Sequence, residues 1–459
     1  MSAIITDPFK KQFMQKILDE VSNLTARYYI GIGKNDEWNS TETVPTPTDT
    51  PKSIRDAQNA LQSVKAVAAS SFVIPRHNWS SGSEYSGYDD QYATIPSNTY
   101  YVLTEDNHVY ICLQQSKSGT GAVNASTVKP TGTSAKPFKT IDGYTWRFLY
   151  SLSASDTSSF LSANFVPVKF VTTASDAFET IQKAAQDSAD AGRIANIIVT
   201  NQGSGYDPSS PPTVTITGNS GAIGDSAQAT AFISSGKVVK IDMLNESAGS
   251  GRNFVNATVT ISGGGGSGAT ARAVLGPANG IGADPRDELK ATSLMFNAKP
   301  NGTENGDFLA GNDQDFRQVM LIRNPRTDSD DGTILTATTN KALRYLKADS
   351  AFASQLSIDE LITNGSTPPA KAYVNEVVNY GNVSNMKVYY HQTDSTGYTP
   401  FSVGDTLTDE GAQTGTIAVV ADSNEQYINT SGEVLYIENR APVVRTSTQV
   451  EDIKVVVTL

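Results

Sequence analysis

Two short stretches, PPTVTITG at residues 211–218 and NATVTISGGGG at residues 256–266, show most directly how this chain folds. In each stretch β-branched apolar residues alternate with threonine, as at Val214 and Ile216 in the first. A period of two places the apolar side chains on one face of a strand and the hydroxyls on the other. Both stretches are therefore predicted to be half-buried β-strands.

Each of these strands lies at the centre of a repeat within residues 191–275. In the first copy IIVTNQGSGY precedes the central strand and AQATAF follows it; in the second, IDMLNESAGSGRNF precedes and ATARAVL follows. Each copy is predicted to be strand, glycine turn, strand, turn, strand, so that two copies can cover each other's apolar faces. We predict an inserted β domain at residues 191–276, preceded by a helix at 176–191, and we expect its deletion to leave the rest of the chain folded.

Two amphipathic helices are predicted near the N-terminus. The first begins at Asp7 and Pro8 and carries apolar residues at every fourth position on a face that is expected to dock, namely Phe9, Phe13, Ile17 and Val21. The second begins at Thr50 and carries apolar residues at three- and four-residue spacing, namely Ile54, Ala57, Leu61 and Val64.

Strand patterns dominate the rest of the chain. They occur at residues 28–33, in a hairpin of 100–103 with 108–113, and at 144–152, 317–325, 372–420, 432–438 and 452–459. The predicted fold class is mainly β with a few helices (α+β, multi-domain), a β-sandwich-like body with the inserted Gly-rich β-repeat domain. The body is assigned to residues 1–175, 285–340 and the returning strands 430–459, and an additional β module to residues 341–429.

The amino-acid composition limits the classes of molecule that this protein is expected to bind. The chain has 459 residues, of which 18% are charged, and a net charge of −12 without a long Lys/Arg cluster, so no nucleic-acid partner is expected. No apolar run approaches the ~20 residues that cross a bilayer, and the N-terminus lacks the core of a signal peptide, so no membrane partner is expected and the protein is predicted to stay in a cytosol. The single cysteine, Cys112, is predicted to be a buried thiol.

The sequence offers no pattern of catalytic or cofactor-binding residues. His77, His108 and His391 stand apart, with no spacing that would join two imidazoles at a metal, and GGGGSG at residues 263–268 is interpreted as a turn because no Lys with Ser/Thr follows it. We therefore expect no enzyme activity, no cofactor and no metal ligand, although a carboxylate pair brought together by the fold stays open. Five acidic residues are interpreted as members of solvated loops, and calcium binding by these loops also stays open: Asp313, Asp315, Asp328, Asp330 and Asp331.

A loop rich in Gly, Ser and Asp at residues 80–98 carries three tyrosines, Tyr85, Tyr88 and Tyr92. Because the composition is typical of a surface loop and tyrosine offers a large contact area at low entropic cost, these side chains are predicted to contact a partner protein.

Five segments in order along the chain resemble the baseplate wedge subunit of T-even-type contractile-tailed bacteriophages, the eighth-gene wedge protein family. They are IGIGKNDEWNS (30–40) with PTPTD (45–49), VIPRHNW (73–79), DGYTWRFLYSL (142–152), FRQVMLIRNP (316–325) and GEVLYIENRAPVV (432–444). The resemblance covers residues 1–170, 285–325 and 430–459, and it fails for the glycine repeat and for residues 341–429.

The resemblance implies a structural virion protein of the tail baseplate, assembled in the bacterial cytoplasm, that dimerises within the wedge and contacts other wedge subunits during baseplate assembly and tail contraction. Within the segments, Pro75 and Pro442 are expected to stop strands, Gly143 to form a tight turn, and Trp79 and Trp146 to anchor apolar packing. Arg76, Arg317 and Arg440 are expected to pair with carboxylates. The other structural or interface candidates are Trp38, Tyr144, Phe316, Glu438 and Asn439.

Two other functions are compatible with the sequence. The Gly-rich β modules fit a host-surface glycan-binding tail protein, and a carboxylate pair would fit a tail-associated glycan hydrolase. The first requires affinity for envelope polysaccharide, and the second requires polymer cleavage that an Asp or Glu substitution abolishes.

Overall fold

A computed structural model of the chain describes residues 3–218, 227–243, 253–311, 314–327, 332–379, 384–417, 420, 423 and 426–459. The fold is mainly β, as predicted, with several antiparallel sheets. The helices among the described residues are α1 (Asp7–Asn23), α2 (Pro51–Asn59), α3 (Ala154–Phe160), α4 (Ala177–Asp187), α5 (Pro285–Glu288) and α6 (Ser350–Ala353).

The strands fall in chain order into three groups. Before residue 190 lie β1 (Tyr28–Gly33), β2 (Leu61–Ala66), β3 (Ala69–Pro75), β4 (Tyr101–Leu103), β5 (His108–Gln114), β6 (Phe138–Lys139), β7 (Thr145–Ser151) and β8 (Phe165–Val168). The glycine repeat contains β9 (Ile194–Ser204), β10 (Thr213–Gly218), β11 (Gln228–Ser234), β12 (Lys237–Met243), β13 (Ala257–Ser262) and β14 (Ser267–Leu275). The remainder are β15 (Ser293–Ala298), β16 (Asp315–Arg323), β17 (Thr339–Lys341), β18 (Arg344–Asp349), β19 (Leu361–Asn364), β20 (Lys371–Val378), β21 (Asn385–His391), β22 (Thr406–Thr408), β23 (Thr414–Thr416), β24 (Glu433–Val444) and β25 (Ile453–Thr458).

The chain divides into two compact units. The first unit contains Met1–Gln15, Ser71–Leu294 and Thr458–Leu459, and the second contains Lys16–Ser70 and Met295–Val457. The segment assigned from sequence to residues 1–175 thus contributes to both units.

The glycine repeat of the first unit forms one six-stranded antiparallel sheet, in the order β12-β11-β10-β13-β14-β9. The two copies meet at their central strands, where Val214 lies opposite Ile261 and Ile216 opposite Val259. Such cross-strand apolar pairs stabilise a sheet. Apolar side chains of both copies join in one core cluster, and the strand order within each copy is the predicted one.

The first unit also contains a four-stranded antiparallel sheet, β4-β5-β7-β6, and a pairing of β3 with β8. The predicted hairpin is confirmed, with Tyr101 opposite Ile111. Cys112 is 0% exposed in β5, and burial raises the pKa of its thiol well above the ordinary value, which confirms the buried thiol.

The second unit contains two antiparallel sheets and most of the residues of the paired strands β15 and β25. Five strands follow the order β17-β2-β1-β16-β24, and six strands between Arg344 and Thr416 follow the order β18-β21-β20-β19-β22-β23. The six-stranded sheet encloses its own core cluster, which includes Phe352, Val388 and Tyr390. All strands of this sheet lie in the segment that the sequence assigns to an additional β module.

Two predicted helices differ from the observed ones. Thr50 caps α2 through its side chain, as predicted, but the helix ends at Asn59, and Leu61 and Val64 belong to β2. Pairing of β2 with β1 supplies those residues with backbone hydrogen bonds, and this tertiary contact overrides the local helical spacing.

The apolar face predicted for α1 is only partly buried. Val21 is 8% exposed, but Phe9 and Phe13 are 60% and 48% exposed, whereas Met14 is fully buried. Within the chain, the predicted face is therefore docked at Val21 but not at the two phenylalanines. The buried stripe runs through Met14 and Val21, which are seven residues apart and lie on one helix face.

None of the helices among the described residues is long and apolar enough to cross a membrane.

Candidate functional site

The central sheet of the second unit places side by side three segments that are far apart in sequence. IGIG lies in β1, FRQVMLIR in β16 and EVLYIENRAPVV in β24. Tyr29 lies opposite Ile322 in the pairing of β1 with β16, and Leu321 lies opposite Tyr436 in the pairing of β16 with β24. Three of the five segments that resemble the wedge family therefore form adjacent strands.

Side-chain hydrogen bonds tie the loop after β1 to these strands. The indole Nε1 of Trp38 donates to the carbonyl of Arg440 at 2.9 Å, and Nδ2 of Asn439 donates to the carbonyl of Pro45 at 2.9 Å. Nε2 of Gln318 donates to Oδ1 of Asn439 at 2.8 Å. Trp38 and Asn439 thus connect the loop of the first segment to the last one.

Arg317 confirms the predicted pairing with carboxylates. Its guanidinium contacts Glu42 at 2.9 Å and Asp315 at 2.8 Å, and the hydrogen bonds from Arg317 hold the pKa of the Glu42 carboxyl below its ordinary value. The neighbouring Phe316 points into the core and is 1% exposed. Both residues are structural in this unit.

The other two arginines for which a carboxylate partner was predicted, Arg440 and Arg76, have partners of different kinds. Arg440 lies 3.5 Å from Glu438, as predicted. Arg76 donates instead to neutral acceptors, Oδ1 of Asn78 at 2.9 Å and the carbonyl of Ser162 at 2.8 Å, so the expected carboxylate is not among its hydrogen-bond partners in the described residues.

Pro75 and Gly143 have the predicted roles. Pro75 is the last residue of β3. Gly143 has a φ of +92° and its backbone N–H donates to the carbonyl of Thr140 at 2.9 Å, which closes the turn before β7. A positive φ of this kind is readily adopted only by glycine.

Pro442 does not stop its strand, so that prediction is wrong. It lies inside β24, next to an irregularity where the register with β16 shifts between Phe316 and Gln318. β24 is the last strand of its sheet, and proline is tolerated on edge strands and at bulges because no ladder N–H is required there.

A groove of about 570 Å³, which we call the Trp38 groove, lies beside these bonds within the second unit. Two aromatic residues, Trp38 and Tyr398, contribute to its wall. The carboxylates that line it are Asp36, Glu37, Asp56 and Asp394, and the lining side chains with nitrogen are Lys34, Trp38, Gln318, Gln392 and Asn439. Residues of three resemblance segments meet in this groove with residues from outside the resemblance.

The two segments in the first unit meet in an aromatic cluster. Trp146 of β7 is fully buried, stacks on Tyr144 with ring centroids 5.7 Å apart, and meets the ring of Tyr85 edge-on at 5.6 Å. Trp79 packs against this cluster and donates from Nε1 to Oγ of Ser126 at 3.1 Å. Both tryptophans anchor apolar packing, as predicted.

The three tyrosines of the 80–98 loop are not a surface set. Tyr85 and Tyr88 are only 4% and 8% exposed, and Tyr92 is half-buried and stacks on Tyr100 with centroids 6.0 Å apart. The prediction that they present a contact area to a partner is wrong for Tyr85 and Tyr88. Tyr85 packs in the cluster of Trp146, and Tyr88 meets the ring of Tyr100 edge-on at 5.5 Å, so alanine substitution of all three tyrosines would test folding and not an interface.

The histidines have structural environments. Nδ1 of His108 lies 2.7 Å from the hydroxyl of Ser151, but Ser151 is 2% exposed and closed to a substrate. His391 is buried, its Nδ1 lies 2.8 Å from Oδ1 of Asn375, and burial lowers its pKa to about 4. Burial also lowers the pKa of His77. The described residues contain no group of three or more His, Cys, Asp or Glu side chains placed to hold a metal ion.

The acidic loops considered for calcium fall mostly outside the described residues. This applies to Asp313, Asp328, Asp330 and Asp331. Asp315 pairs with Arg317.

A cavity of about 420 Å³ in the first unit is lined by β5, β7, β9 and β12 among others. Four of its five charged side chains form two ion pairs: Asp190 lies 2.9 Å from Arg193, and Asp242 lies 3.0 Å from Lys139. The fifth charged side chain of the lining, Arg147, donates through Nη2 to the carbonyl of Ala185 at 3.0 Å.

Glu288 is a buried carboxyl that the sequence did not single out. It is 1% exposed at the end of α5; its Oε1 accepts the backbone N–H of Gly282 at 2.7 Å, and its Oε2 has no hydrogen-bond partner among the described residues. Burial raises its pKa to about 8. Only the fold reveals this burial, because PRDE has the composition of an exposed first helical turn.

The wild-type protein is expected to become less stable as pH rises. Replacing Glu288 with glutamine is expected to abolish this pH dependence. Between the ordinary pKa of 4.5 and about 8, the folded state binds a proton that the unfolded state lacks, so stability falls by about 1.4 kcal/mol per pH unit. Urea unfolding measured from about pH 5 to about pH 8 should show that the free energy of unfolding of Glu288→Gln increases relative to that of the wild type as pH rises. The exposed Glu105→Gln control should show a constant difference, and a constant difference for Glu288→Gln would contradict the prediction.

Comparison of the sequence with protein-family models gives no match, and comparison with curated protein sequences gives none either.

Proposed function

We propose that this chain is a structural subunit of the baseplate wedge of a contractile-tailed bacteriophage, located in the virion tail and acting through contacts with other proteins. The observation that carries the proposal is the adjacency of the resemblance segments within each unit. Residues 30–40, 316–325 and 432–444 share one sheet and one groove, and residues 73–79 and 142–152 share one aromatic cluster. A resemblance that covers neighbouring parts of a packed body supports a common architecture more than five scattered matches would.

The surface near the N-terminus also favours a role in protein contacts. Ile4, Ile5, Phe9 and Phe13 are each between 48% and 86% exposed within 10 residues of sequence. Exposed apolar side chains that lie close together mark interaction surfaces more often than isolated ones do. They offer a surface for the homodimer or for another wedge subunit.

Coexpression of the full chain with the neighbouring tail genes of its genome tests this proposal. Purification through this chain, followed by native mass spectrometry, is expected to yield a complex of defined stoichiometry with two copies of the chain. The double variant Phe9→Ala with Phe13→Ala should reduce the yield of the complex at least fivefold. Phe178→Ala, which changes a residue of similar exposure elsewhere in the chain, is the control and should leave the yield unchanged. A chain that purifies alone under all conditions contradicts the wedge role.

One observation favours a second candidate, a glycan-binding tail protein. Trp38 and Tyr398 place two aromatic rings in a groove that also contains carboxylates and carboxamides. Binding of host envelope polysaccharide by the isolated chain, lost in Trp38→Ala, would support this candidate.

A further inference from the structure

A cavity of about 200 Å³ in the first unit, which we call the Lys117 cavity, is lined by the end of β5 and the chain after it, by β9 and by β12 among others. Its charged side chains are Lys117, Lys240 and Asp89. Pockets for drug-sized molecules usually measure ~300–1,000 Å³, so a ligand of this cavity must be small.

Two of these three charges have partners in the same unit. Nζ of Lys240 lies 3.1 Å from Oδ2 of Asp242. The Asp89 carboxylate pairs with the Arg272 guanidinium and accepts the backbone N–H of Gln91 at 2.9 Å. Neither Lys240 nor Asp89 therefore needs a counter-charge from outside the chain.

Lys117 is the charge without a partner. Its side chain is half-buried, and its ammonium has no carboxylate within ion-pair distance and no hydrogen-bond acceptor in the part of the chain that the structure describes. Burial alone lowers the pKa of this ammonium, so no nearby carboxylate compensates its loss of hydration. By contrast, the sheltered lysines Lys65 and Lys341 pair with Glu304 and Glu376. An unpaired cation that has partly left water is unusual, because burial of a charge is costly unless a counter-charge accompanies it.

Asn196 in β9 supplies a second open donor to this cavity. The residue is 6% exposed, and its Oδ1 accepts the backbone N–H of Ile197 at 2.8 Å. Since a backbone N–H can only donate, Nδ2 is the amide atom that stays open, and it donates to none of the described residues. Gly87 leaves room in front of this atom, because a Cβ there would lie 3.1 Å from Nδ2. Neither Nδ2 nor Nζ of Lys117 is enclosed away from solvent, so a ligand in the cavity can reach both.

We propose that the Lys117 cavity binds a small free oxyanion of the phosphate or carboxylate class, whose oxygens accept from Nζ of Lys117 and Nδ2 of Asn196. Carboxylate and phosphate oxygens are strong acceptors, which matches two open donors of which one is charged. A metal cation fits poorly, because Asp89, the carboxylate of the cavity, is engaged by Arg272. An apolar molecule would displace water from both donors without replacing its hydrogen bonds. The site does not depend on the chain's role in a phage tail.

Calorimetric titration of the full chain with sodium phosphate, and separately with sodium acetate, tests this proposal in a low-chloride buffer at neutral pH. Saturable binding with one site per chain is expected, and the tighter of the two anions identifies the class. Because a ligand that binds only the folded state stabilises it, that anion should also raise Tm more than sodium chloride does at equal ionic strength. No saturable heat with either anion, together with the same Tm as in sodium chloride, overturns the proposal.

Three variants locate the binding, each measured with the tighter anion. Lys117→Met removes the charge and keeps the aliphatic stem, whereas Asn196→Asp keeps the acceptor for the Ile197 N–H and replaces the donor Nδ2 with a carboxylate oxygen. Each is expected to weaken anion binding by about tenfold or more, the usual effect of losing a hydrogen bond to a charged group. Lys136→Gln removes an exposed lysine charge from the same unit and should leave the affinity unchanged. An equal loss in Lys136→Gln and Lys117→Met overturns the proposal, because binding would then reflect net charge alone.

Thermal unfolding without added anion separates a ligand site from a structural lysine. Lys117→Met should then have the same Tm as the wild type or a higher one, because it removes a charge that lacks a counter-charge in the folded chain. A lower Tm would show that the folded chain itself stabilises the Lys117 ammonium, and this result also overturns the proposal.

Discussion

Replacing Arg445 with alanine is expected to lower the free energy of unfolding of the second unit by about 3–5 kcal/mol, since removal of one partner of a buried ion pair leaves the other charge uncompensated. Arg445 is 2% exposed just after β24. Its guanidinium contacts Glu451 through Nε at 2.9 Å and Nη2 at 2.8 Å, and it donates to the carbonyls of Leu309 and Gly302 at 2.9 and 2.8 Å. One side chain therefore joins residues 302–309 to residues 445–451.

Urea unfolding and hydrogen exchange measured by mass spectrometry check this expectation. Exchange should accelerate in peptides that cover residues 300–311 and 445–452. Arg440→Ala serves as the control, because its pair with Glu438 is more than a third exposed on both sides, and it should cost only about 0–1 kcal/mol. Removing Glu451 together with Arg445 should cost less than the sum of the two single changes, and additive costs would contradict a coupled buried pair.

Replacing Trp146 with alanine is expected to destabilise the first unit by about 3–5 kcal/mol, the usual cost of truncating a large buried aromatic side chain. The ring is fully buried among Tyr85, Tyr144 and the apolar side chains of the β4–β5–β7 sheet, so the surrounding structure cannot collapse into the space. The loss of its stacked and edge-on ring contacts adds to the cost.

The measurement is denaturant unfolding followed by far-UV circular dichroism, with hydrogen exchange of β5 and β7 as the local probe. Phe178→Ala on α4 is the matched control, because that ring is 43% exposed and its loss should change stability by less than about 1 kcal/mol. Trp146→Phe should recover part of the loss. Unchanged protection of β5 and β7 in Trp146→Ala would contradict the anchoring role.

Where local pattern and the final contacts agree, prediction from sequence succeeded. The alternation at Val214 and Ile216 predicted a half-buried strand, and β10 shows buried and exposed positions in alternation. The Thr50 cap predicted the start of α2. Each of these signals acts over a few residues, so the chain carries it without help from remote partners.

Prediction from sequence failed at positions whose structure is determined by contacts with residues far away in the sequence. Leu61 and Val64 have helical spacing, but they form a strand because they pair with β1. Tyr85 and Tyr88 are buried although the residues around them are polar. Pro442 is accommodated because its strand lies at the edge of the sheet.

The candidate site shows the same division. The sequence supplied the segments and singled out Trp38, Arg317, Glu438, Asn439 and Arg440, but it did not indicate that residues from 30–40, 316–325 and 432–444 lie side by side. Gln318 and Asp36 were not singled out, because nothing in the local sequence shows that one side-chain oxygen of each is buried without a hydrogen-bond partner among the described residues. Arg445 was missed for a similar reason, since an arginine after a strand usually reaches solvent.

By itself, therefore, the sequence determined that the chain is mainly β, where most strands lie and that Cys112 is buried, because alternation, capping and apolar runs act within a few residues. Tertiary structure alone decided which strands are neighbours, which tyrosines are buried, that burial raises the pKa of Glu288 to about 8, and which segments line one groove. The physical reason is that burial and hydrogen-bond satisfaction depend on partners hundreds of residues away, and such partners leave no mark on the local pattern.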